Sequence, residues 1–227
     1  MGEVEDIIVH RFRDHDFYFH PSIDAQDLIK EVFGDNYCVL KENIEFRKGD
    51  VILDIGANEG MFSILMAKLF PQARVIALEP VPRTFTQLMH NVGLNACENI
   101  SCYNIGVGKP GEMTATVNVS KDHSGGSTSL CEFNPDHHYR QPISVKRLDE
   151  IFDLYGIDRC RFLKMDVEGM EYEVLYPCTV LPRVDYMGIE IHLNHRLEYQ
   201  ARRPDGLRNW LSRQTKLTSV EFCNMAE

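Results

Sequence analysis

Residues 51–60 constrain the fold of this chain more than any other part of the sequence. The strand-like run Val-Ile-Leu-Asp-Ile is followed by the small-residue turn Gly-Ala-Asn-Glu-Gly and then by an amphipathic segment over residues 61–70. This pattern is typical of a buried strand, a tight loop and the start of a helix. Open α/β sheets hold their cofactors at junctions of this kind. The segment therefore predicts an α/β fold with a ligand-binding loop.

The spacing of the loop opposes a dinucleotide. A dinucleotide fold reads G-x-G-x-x-G, and its middle glycine lets the backbone touch the pyrophosphate. Asn58 stands at that position, and no Gly-Lys-Ser/Thr of a P-loop follows. A ligand with an adenosine but no phosphate fits better, and we predict S-adenosylmethionine. Asp54 and the loop residues Gly56, Asn58 and Gly60 are predicted to hold its amino-acid end, close to a helix start that favours a carboxylate.

A second acid ends the next predicted strand. Residues 74–79 read Arg-Val-Ile-Ala-Leu-Glu, so that Glu79 follows a buried run and precedes Pro80. An acid about 20 residues past the glycine turn is placed to accept hydrogen bonds from both ribose hydroxyls. Pro80 keeps Glu79 extended. We therefore predict Glu79 as the ribose ligand.

The composition limits the partners of the chain. The formal net charge is −10 and no run rich in Lys or Arg occurs. Such a balance opposes nucleic-acid binding and suits a small-molecule acceptor. The seven cysteines are odd in number and form no C-x-x-C pair, which opposes a disulfide framework or a zinc ribbon. No apolar run reaches membrane-spanning length. We predict a cytoplasmic protein with reduced thiols and no membrane partner.

The chain is predicted to divide into an N-terminal cap over residues 1–48 and a main domain over residues 49–227. The cap contains a predicted hairpin or strand around Phe17-Tyr18-Phe19 and a predicted helix from Asp24 to Phe33, with Asp24 as the capping residue. We expect this segment to pack on the sheet. A contact within a homodimer is the alternative.

The main domain alternates between strand and helix patterns, which predicts a parallel sheet covered on both faces. The strands are predicted at about 51–55, 74–79, 100–105, 161–166 and 185–191, and the helices near 59–70, 82–92, 147–155 and 169–176. Residues 113–119 alternate like a strand and are expected to pair with residues 143–146. The polar, glycine-rich segment 121–129 between them predicts a lid or binding loop. A helix over 205–214 and a strand over 217–222 are predicted to end the chain.

A second dense cluster lies at residues 161–172, which read Arg-Phe-Leu-Lys-Met-Asp-Val-Glu-Gly-Met-Glu-Tyr. Asp166 ends a predicted strand. If this strand neighbours the first one at the switch point of the sheet, Asp166 faces the same pocket as Asp54. Glu168 and Glu171 lie near a predicted helix start, where negative charge is stabilised. That location alone accounts for Glu171, whereas Glu168 is equally compatible with a functional role.

Together, these clusters resemble the FkbM-type family of S-adenosylmethionine-dependent methyltransferases. The resemblance covers about residues 45–193 and includes the glycine loop (51–60), the ribose-binding strand end (77–80), a Gly/Ser-rich connection (124–130), the distinctive run 162–171 and the ending 190–192. It implies a doubly wound, Rossmann-like class I methyltransferase sheet of seven strands, the last antiparallel. It also implies methyl transfer, usually to a hydroxyl of a sugar, polyketide or other secondary metabolite.

Such a transfer requires alignment of donor and acceptor and removal of a proton from the alcohol. His192 is the first candidate base, because it follows a predicted strand and its ordinary pKa of about 6.5 suits neutral pH. Asp166 is the second, as a base or as a ligand that orients the acceptor and the cofactor. Glu190 faces the same side of its strand as His192 and is expected to fix the imidazole tautomer.

Four alternatives stay open at this point. Asp166, Glu190 and His192 also suit a divalent cation, but nothing in their spacing requires one, and we predict no metal. Methylation of an amine or peptide nitrogen is an alternative reaction, and an NAD-dependent oxidoreductase is an alternative enzyme that Asn58 opposes. A non-catalytic protein that binds S-adenosylmethionine ranks last.

Overall fold

The computed structural model describes residues 7–34, 44–124, 133–193 and 203–224. The strands are β1 (Ile8–Phe12), β2 (His15–Phe19), β3 (Val51–Ile55), β4 (Arg74–Leu78), β5 (Ile100–Tyr103), β6 (Gly106–Val107), β7 (Thr114–Ser120), β8 (His138–Lys146), β9 (Cys160–Met165), β10 (Val184–Leu193) and β11 (Lys216–Asn224). The helices are α1 (Ala25–Phe33), α2 (Met61–Leu69), α3 (Pro82–Leu94), α4 (Leu148–Leu154), α5 (Glu171–Leu175) and α6 (Pro204–Leu211), and a short 3₁₀ turn covers Leu181–Arg183.

The main sheet confirms the predicted doubly wound α/β fold. Its strand order is β11-β10-β9-β3-β4-β5, and every pairing is parallel. The chain runs outward from β3 through β4 to β5, and then returns to β9 on the other side of β3. The switch point therefore lies between β3 and β9, where ligands bind in sheets of this type. All five side chains of β3 are buried, as expected for a central strand covered on both faces.

The predicted direction of the last strand needs correction. In the part of the chain that the structure describes, the main sheet has six strands. Its last strand, β11, runs parallel to β10, with Ile189 opposite Val220 and Glu190 opposite Glu221. The helix α6 lies between these two strands in the chain. A helical connection returns the chain to the starting edge of the sheet, so the next strand is parallel, whereas a hairpin would have made it antiparallel.

A smaller sheet covers one side of the switch point. It has the order β6-β8-β7, and the antiparallel pairing of β7 with β8 places Ala115 opposite Ile143, as predicted. Valine and isoleucine side chains from this sheet form a separate apolar cluster with Val81 at the start of α3. Most of the predicted lid segment, from residue 125 onward, lies outside the described residues.

The N-terminal segment packs on the α2 side of the main sheet. The hairpin of β1 and β2 and the helix α1 bury Phe17, Phe19 and Ile29 in one apolar cluster with Phe62. Asp24 precedes α1 as predicted, but its side chain does not cap the helix. Instead, its carboxylate accepts a hydrogen bond from the backbone N–H of Ser124 and lies 2.9 Å from Nδ1 of His123. The division at residues 48/49 and the homodimer remain predictions.

Two further predictions concern the surroundings of the protein. Within the described ranges, no helix is long and apolar enough to cross a membrane. The described thiols Cys97, Cys102, Cys160 and Cys178 are free. The cytoplasmic location remains a prediction from the sequence.

Candidate active site

The glycine loop after β3 needs its two glycines for different reasons. Gly56 has φ of +76°, and a Cβ there would lie 1.9 Å from the backbone oxygen of Asp166. Gly60 has φ of +88°, and its Cβ would lie 2.3 Å from Cδ1 of Leu88. Left-handed backbone disfavours side chains at both positions. At Gly56 the backbone contact also leaves no room for one, whereas at Gly60 the contact is with the end of a movable side chain. Asn58 tolerates its own φ of +50° because asparagine enters this region more readily than most residues.

Asp54 is a buried anchor of the loop. Its side chain is fully buried, Oδ2 accepts a hydrogen bond from Ser63 at 2.6 Å, and Oδ1 lies 3.6 Å from the Lys164 ammonium. Burial raises the pKa of Asp54, and Lys164 and Ser63 oppose that shift. Lys164 also donates to the backbone oxygen of Gly56 at 2.8 Å. Asp54 is therefore placed to hold the loop in position, and it is not among the residues that line the cavities described below.

Glu79 lies at the end of β4 with both carboxylate oxygens directed by the backbone. Oε2 accepts a hydrogen bond from the N–H of Asn58 at 3.0 Å, and Oε1 accepts one from the N–H of Val81 at 2.8 Å. The residue is only 6% exposed. Burial raises the pKa of Glu79 to about 7, although the two backbone donors oppose the shift. Each oxygen has a second lone pair, so the carboxylate can still accept from a ligand.

A cavity of about 830 Å³, including the space at its mouth, opens beside Glu79. One wall is apolar and consists of Leu78, Val81, Val107, Val117, Ile143 and Val145. The lining also contains two buried oxygens that have no hydrogen-bond partner among the described residues, Oδ1 of Asn58 and Oδ1 of Asp166. We call this space the cofactor cavity. An apolar wall for a flat base, an acid for ribose hydroxyls and unpaired polar atoms fit S-adenosylmethionine.

A second cavity of about 860 Å³, including the open space at its mouth, lies on the other side of the loop, and we call it the acceptor cavity. Apolar side chains from α1 and α2 form one side of it. The other side is acidic and includes Glu59, Glu190 and Glu221. Burial, aided by the charge of Asp166, raises the pKa of Glu190 to about 7. Asn58, Asp166 and Glu168 line both cavities, so the two spaces meet at the end of β9.

His192 lies behind that junction and is nearly buried. Its Nδ1 is hydrogen-bonded to Oε1 of Glu171 at 2.7 Å, and its Nε2 lies 3.4 Å from Oε2 of Glu168 and 3.8 Å from Oδ1 of Asp166. Burial lowers the pKa of His192, but the hydrogen bond to Glu171 and the three carboxylate charges outweigh it and raise the pKa to about 9.

The structure thus brings all the predicted site residues to one edge of the sheet. Gly56, Asn58, Glu79 and Asp166 line the cofactor cavity, and Glu190 lines the acceptor cavity. One predicted role is wrong, because Glu171 and not Glu190 holds Nδ1 of His192. Glu171 was explained by its helix-start position alone. No spacing in the sequence identified its contact with His192.

Comparison with known proteins decides the family. The model of the methyltransferase FkbM domain matches residues 54–217. The chain belongs to the FkbM methyltransferase family. This membership confirms the resemblance seen in the sequence and, with it, S-adenosylmethionine as the cofactor. The matched FkbM region begins at the buried anchor Asp54 and extends to β11. It therefore includes the strand ends whose residues line the two cavities.

Individual relatives of this FkbM domain are more distant. The chain is 29% identical over 187 residues to methyltransferase sdnD of Sordaria araneosa. That match covers 70% of this chain and 71% of the relative. The chain is 27% identical over 196 residues to 31-O-demethyl-FK506 methyltransferase FkbM of Streptomyces tacrolimicus, and this match covers 74% of this chain and 75% of the relative. A solved SAM-dependent methyltransferase from Aquifex aeolicus shares 15% identity and a TM-score of 0.38, over 68% of this chain and 59% of that one.

Proposed function

We propose that this protein transfers a methyl group from S-adenosylmethionine to a hydroxyl of a small-molecule acceptor, such as a sugar, a polyketide or another secondary metabolite. The observation that carries the proposal is the junction at Asp166, where a cavity suited to an adenosyl ligand meets a second cavity with carboxylates. The relative from Streptomyces tacrolimicus is named for methylation at an oxygen, which supports the same reaction.

We assign roles to the residues of the cofactor cavity that would hold the methyl donor. Glu79 accepts hydrogen bonds from the ribose hydroxyls, because its backbone donors leave one lone pair on each oxygen. Asn58 and the loop amides hold the amino-acid end, and the buried Oδ1 of Asn58 gains a partner there. S-adenosylmethionine supplies a methyl group that its sulfonium already makes electrophilic. The protein therefore has to position the acceptor and remove its proton.

The acceptor side assigns the remaining roles. Glu190 lines the acceptor cavity and takes up the hydroxyl proton, while Asp166 at the junction orients the hydroxyl toward the methyl group. His192 is absent from the lining of both cavities, and its Nδ1 is held by Glu171. We therefore assign His192 a positioning role behind Asp166 instead of the role of first base. A positioned base contributes about 10²–10⁴-fold to the rate.

An amine acceptor is the second candidate, and the acidic lining of the acceptor cavity favours it. A carboxylate-rich wall attracts an ammonium group, and a free amine needs no base for the transfer itself.

The proposed partners exclude nucleic acid and membranes, in line with the charge of −10. Membership in a methyltransferase family opposes the NAD-dependent alternative.

Calorimetry with S-adenosylhomocysteine tests the cofactor site. We expect the wild-type protein to bind it and Glu79→Ala to lose about 1–3 kcal/mol of binding free energy, the scale for leaving ligand hydroxyls unpaired. Glu45→Ala, at an exposed position, is the matched control and is expected to bind normally. Absence of binding by the wild-type protein, or equal binding by Glu79→Ala, contradicts the assignment.

A product screen tests the acceptor. The full chain is incubated with methyl-labelled S-adenosylmethionine and a panel of hydroxylated and amine-bearing metabolites. Methylated alcohols formed by the wild type and reduced at least 100-fold in Glu190→Gln support the proposed base. Products methylated only at nitrogen, formed equally well by Glu190→Gln, select the amine alternative.

A further inference from the structure

Three side chains that can ligate a metal ion lie together at the junction of the two cavities. Asp166, Glu168 and His192 each offer one ligand atom there, and these three atoms lie within 4.8 Å of one another. The sequence suggested a different set, with Glu190 in place of Glu168. Glu168 reaches the cluster because it has left-handed backbone, with φ of +52°, between the end of β9 and the start of α5.

Two of the three separations are close to those of a coordination sphere. Nε2 of His192 lies 3.4 Å from Oε2 of Glu168 and 3.8 Å from Oδ1 of Asp166. Ligands bound to a metal at about 2.0–2.2 Å lie about 3.0–3.5 Å apart in octahedral or tetrahedral geometry. Shifts of a few tenths of an ångström would therefore bring both carboxylates to ligand spacing from Nε2.

Two further observations also point to a cation. Oδ1 of Asp166 is buried and has no hydrogen-bond partner among the described residues, while Oδ2 of the same carboxylate faces the Lys164 ammonium at 3.6 Å. The fully buried Glu171 holds Nδ1 of His192 at 2.7 Å, which directs Nε2 toward the cluster. A buried carboxylate behind a histidine is the usual support of a metal-binding imidazole.

We propose that Asp166, Glu168 and His192 form a binding site for one divalent transition-metal ion, with Glu171 as the residue that orients His192. One imidazole and two carboxylates favour Mn²⁺ or Zn²⁺ over Mg²⁺, which prefers an all-oxygen set. Because Asp166 and Glu168 line both cavities, a cation here faces the acceptor cavity. It would bind the acceptor oxygen directly, so that Asp166 orients the hydroxyl through the metal. This last step rests on the proposed methyl transfer, whereas the binding site does not.

Binding of Mn²⁺ to the full chain tests the site without activity. Protein stripped with EDTA is titrated with MnCl₂ by calorimetry, and free Mn²⁺ is followed by electron paramagnetic resonance. We expect one Mn²⁺ per chain, at least 10-fold tighter than Mg²⁺. Glu168→Gln and His192→Gln are expected to weaken binding at least 10-fold, and Glu171→Gln to weaken it about 10–100-fold, as for other outer-shell partners. Glu221→Gln removes a carboxylate from the same cavity and is expected to bind normally.

Circular dichroism shows whether each variant is folded. Glu168 is one quarter exposed, so its variant is the safer one if His192→Gln fails to fold. Failure of wild-type protein to bind Mn²⁺, or unchanged binding by folded Glu168→Gln, overturns the site. S-adenosylhomocysteine binding without Mn²⁺ binding refutes only the metal site, whereas Mn²⁺ binding without S-adenosylhomocysteine binding refutes only the proposed function.

Discussion

Glu79 should make the stability of this protein depend on pH, and the substitution Glu79→Gln isolates the effect. The carboxyl is 6% exposed, and burial raises its pKa from 4.5 to about 7. Between these two values the folded protein binds a proton that the unfolded chain has released. Stability therefore decreases as pH rises from about 4.5 to 7, and it is constant with respect to this group above that range.

The size of the effect follows from the two pKa values. Each pH unit between them corresponds to about 1.4 kcal/mol, so ionisation of Glu79 costs the folded protein about 3 kcal/mol by pH 8. Glutamine does not titrate, but its NH₂ group cannot accept one of the two backbone N–H groups, so the variant loses that bond at every pH. We therefore expect the stability of Glu79→Gln relative to the wild type to rise by about 3 kcal/mol between pH 5 and pH 8.

Urea unfolding at pH 5, 6, 7 and 8 provides the measurement, with Glu45→Gln at an exposed position as the control. The quantity to plot is the free energy of unfolding of each variant minus that of the wild type. A difference for Glu79→Gln that stays constant with pH, or that grows in favour of the wild type, refutes the reasoning. The same variant should bind S-adenosylhomocysteine more weakly, because one acceptor for the ribose is gone.

Three further substitutions test the packing that supports the site, each by urea unfolding. Gly56→Ala should lower the free energy of unfolding by at least about 3 kcal/mol, and by more than Gly60→Ala does. The new Cβ at position 56 would meet the backbone of Asp166, whereas the one at position 60 would meet a movable side chain. Equal losses in the two variants would contradict this reasoning. Lys164→Met should cost about 3–5 kcal/mol by leaving Asp54 with an uncompensated buried charge, and Asp54→Asn should restore part of the loss in the double variant. Ser63→Ala should cost about 1–3 kcal/mol, since the buried Asp54 loses a donor at 2.6 Å; a neutral result would mean that another group replaces the hydroxyl.

The sequence predicted the parts of this structure that depend on local patterns. The strand Val51–Ile55 was predicted with its observed bounds, because a fully buried strand is a continuous apolar run that ends at a glycine turn. Glu79 and Asp166 were placed at one edge of the sheet because the carboxyl ends of parallel strands share an edge. The direction of β11 could not be predicted from local patterns. The antiparallel direction was expected from the family resemblance alone, whereas the helix α6 before β11 returns the chain so that the strand is parallel to β10.

The contacts around His192 could not be predicted for the same reason. Whether Glu171 or Glu190 reaches the imidazole depends on how the first turn of α5 sits against the end of β10, which no spacing in the sequence specifies. Alternation along the strand placed Glu190 on the same side as His192, and this reasoning fixed a face but not a contact. The observed bond crosses from a helix to a strand. It is a product of tertiary packing.

The run from Lys164 to Glu171 shows how one short motif can serve the fold and the chemistry together. Lys164 connects Asp54, Asp166 and the backbone of Gly56, so it fixes the glycine loop relative to β9. The left-handed turn that follows directs Glu168 to the junction and lets Glu171 reach His192 from within the core. A change at any of these positions would move a ligand-facing group as well as a buried charge. Substitutions within this run should therefore alter ligand binding and stability together. Glu221, which lines the acceptor cavity, can in contrast be changed without disturbing the core.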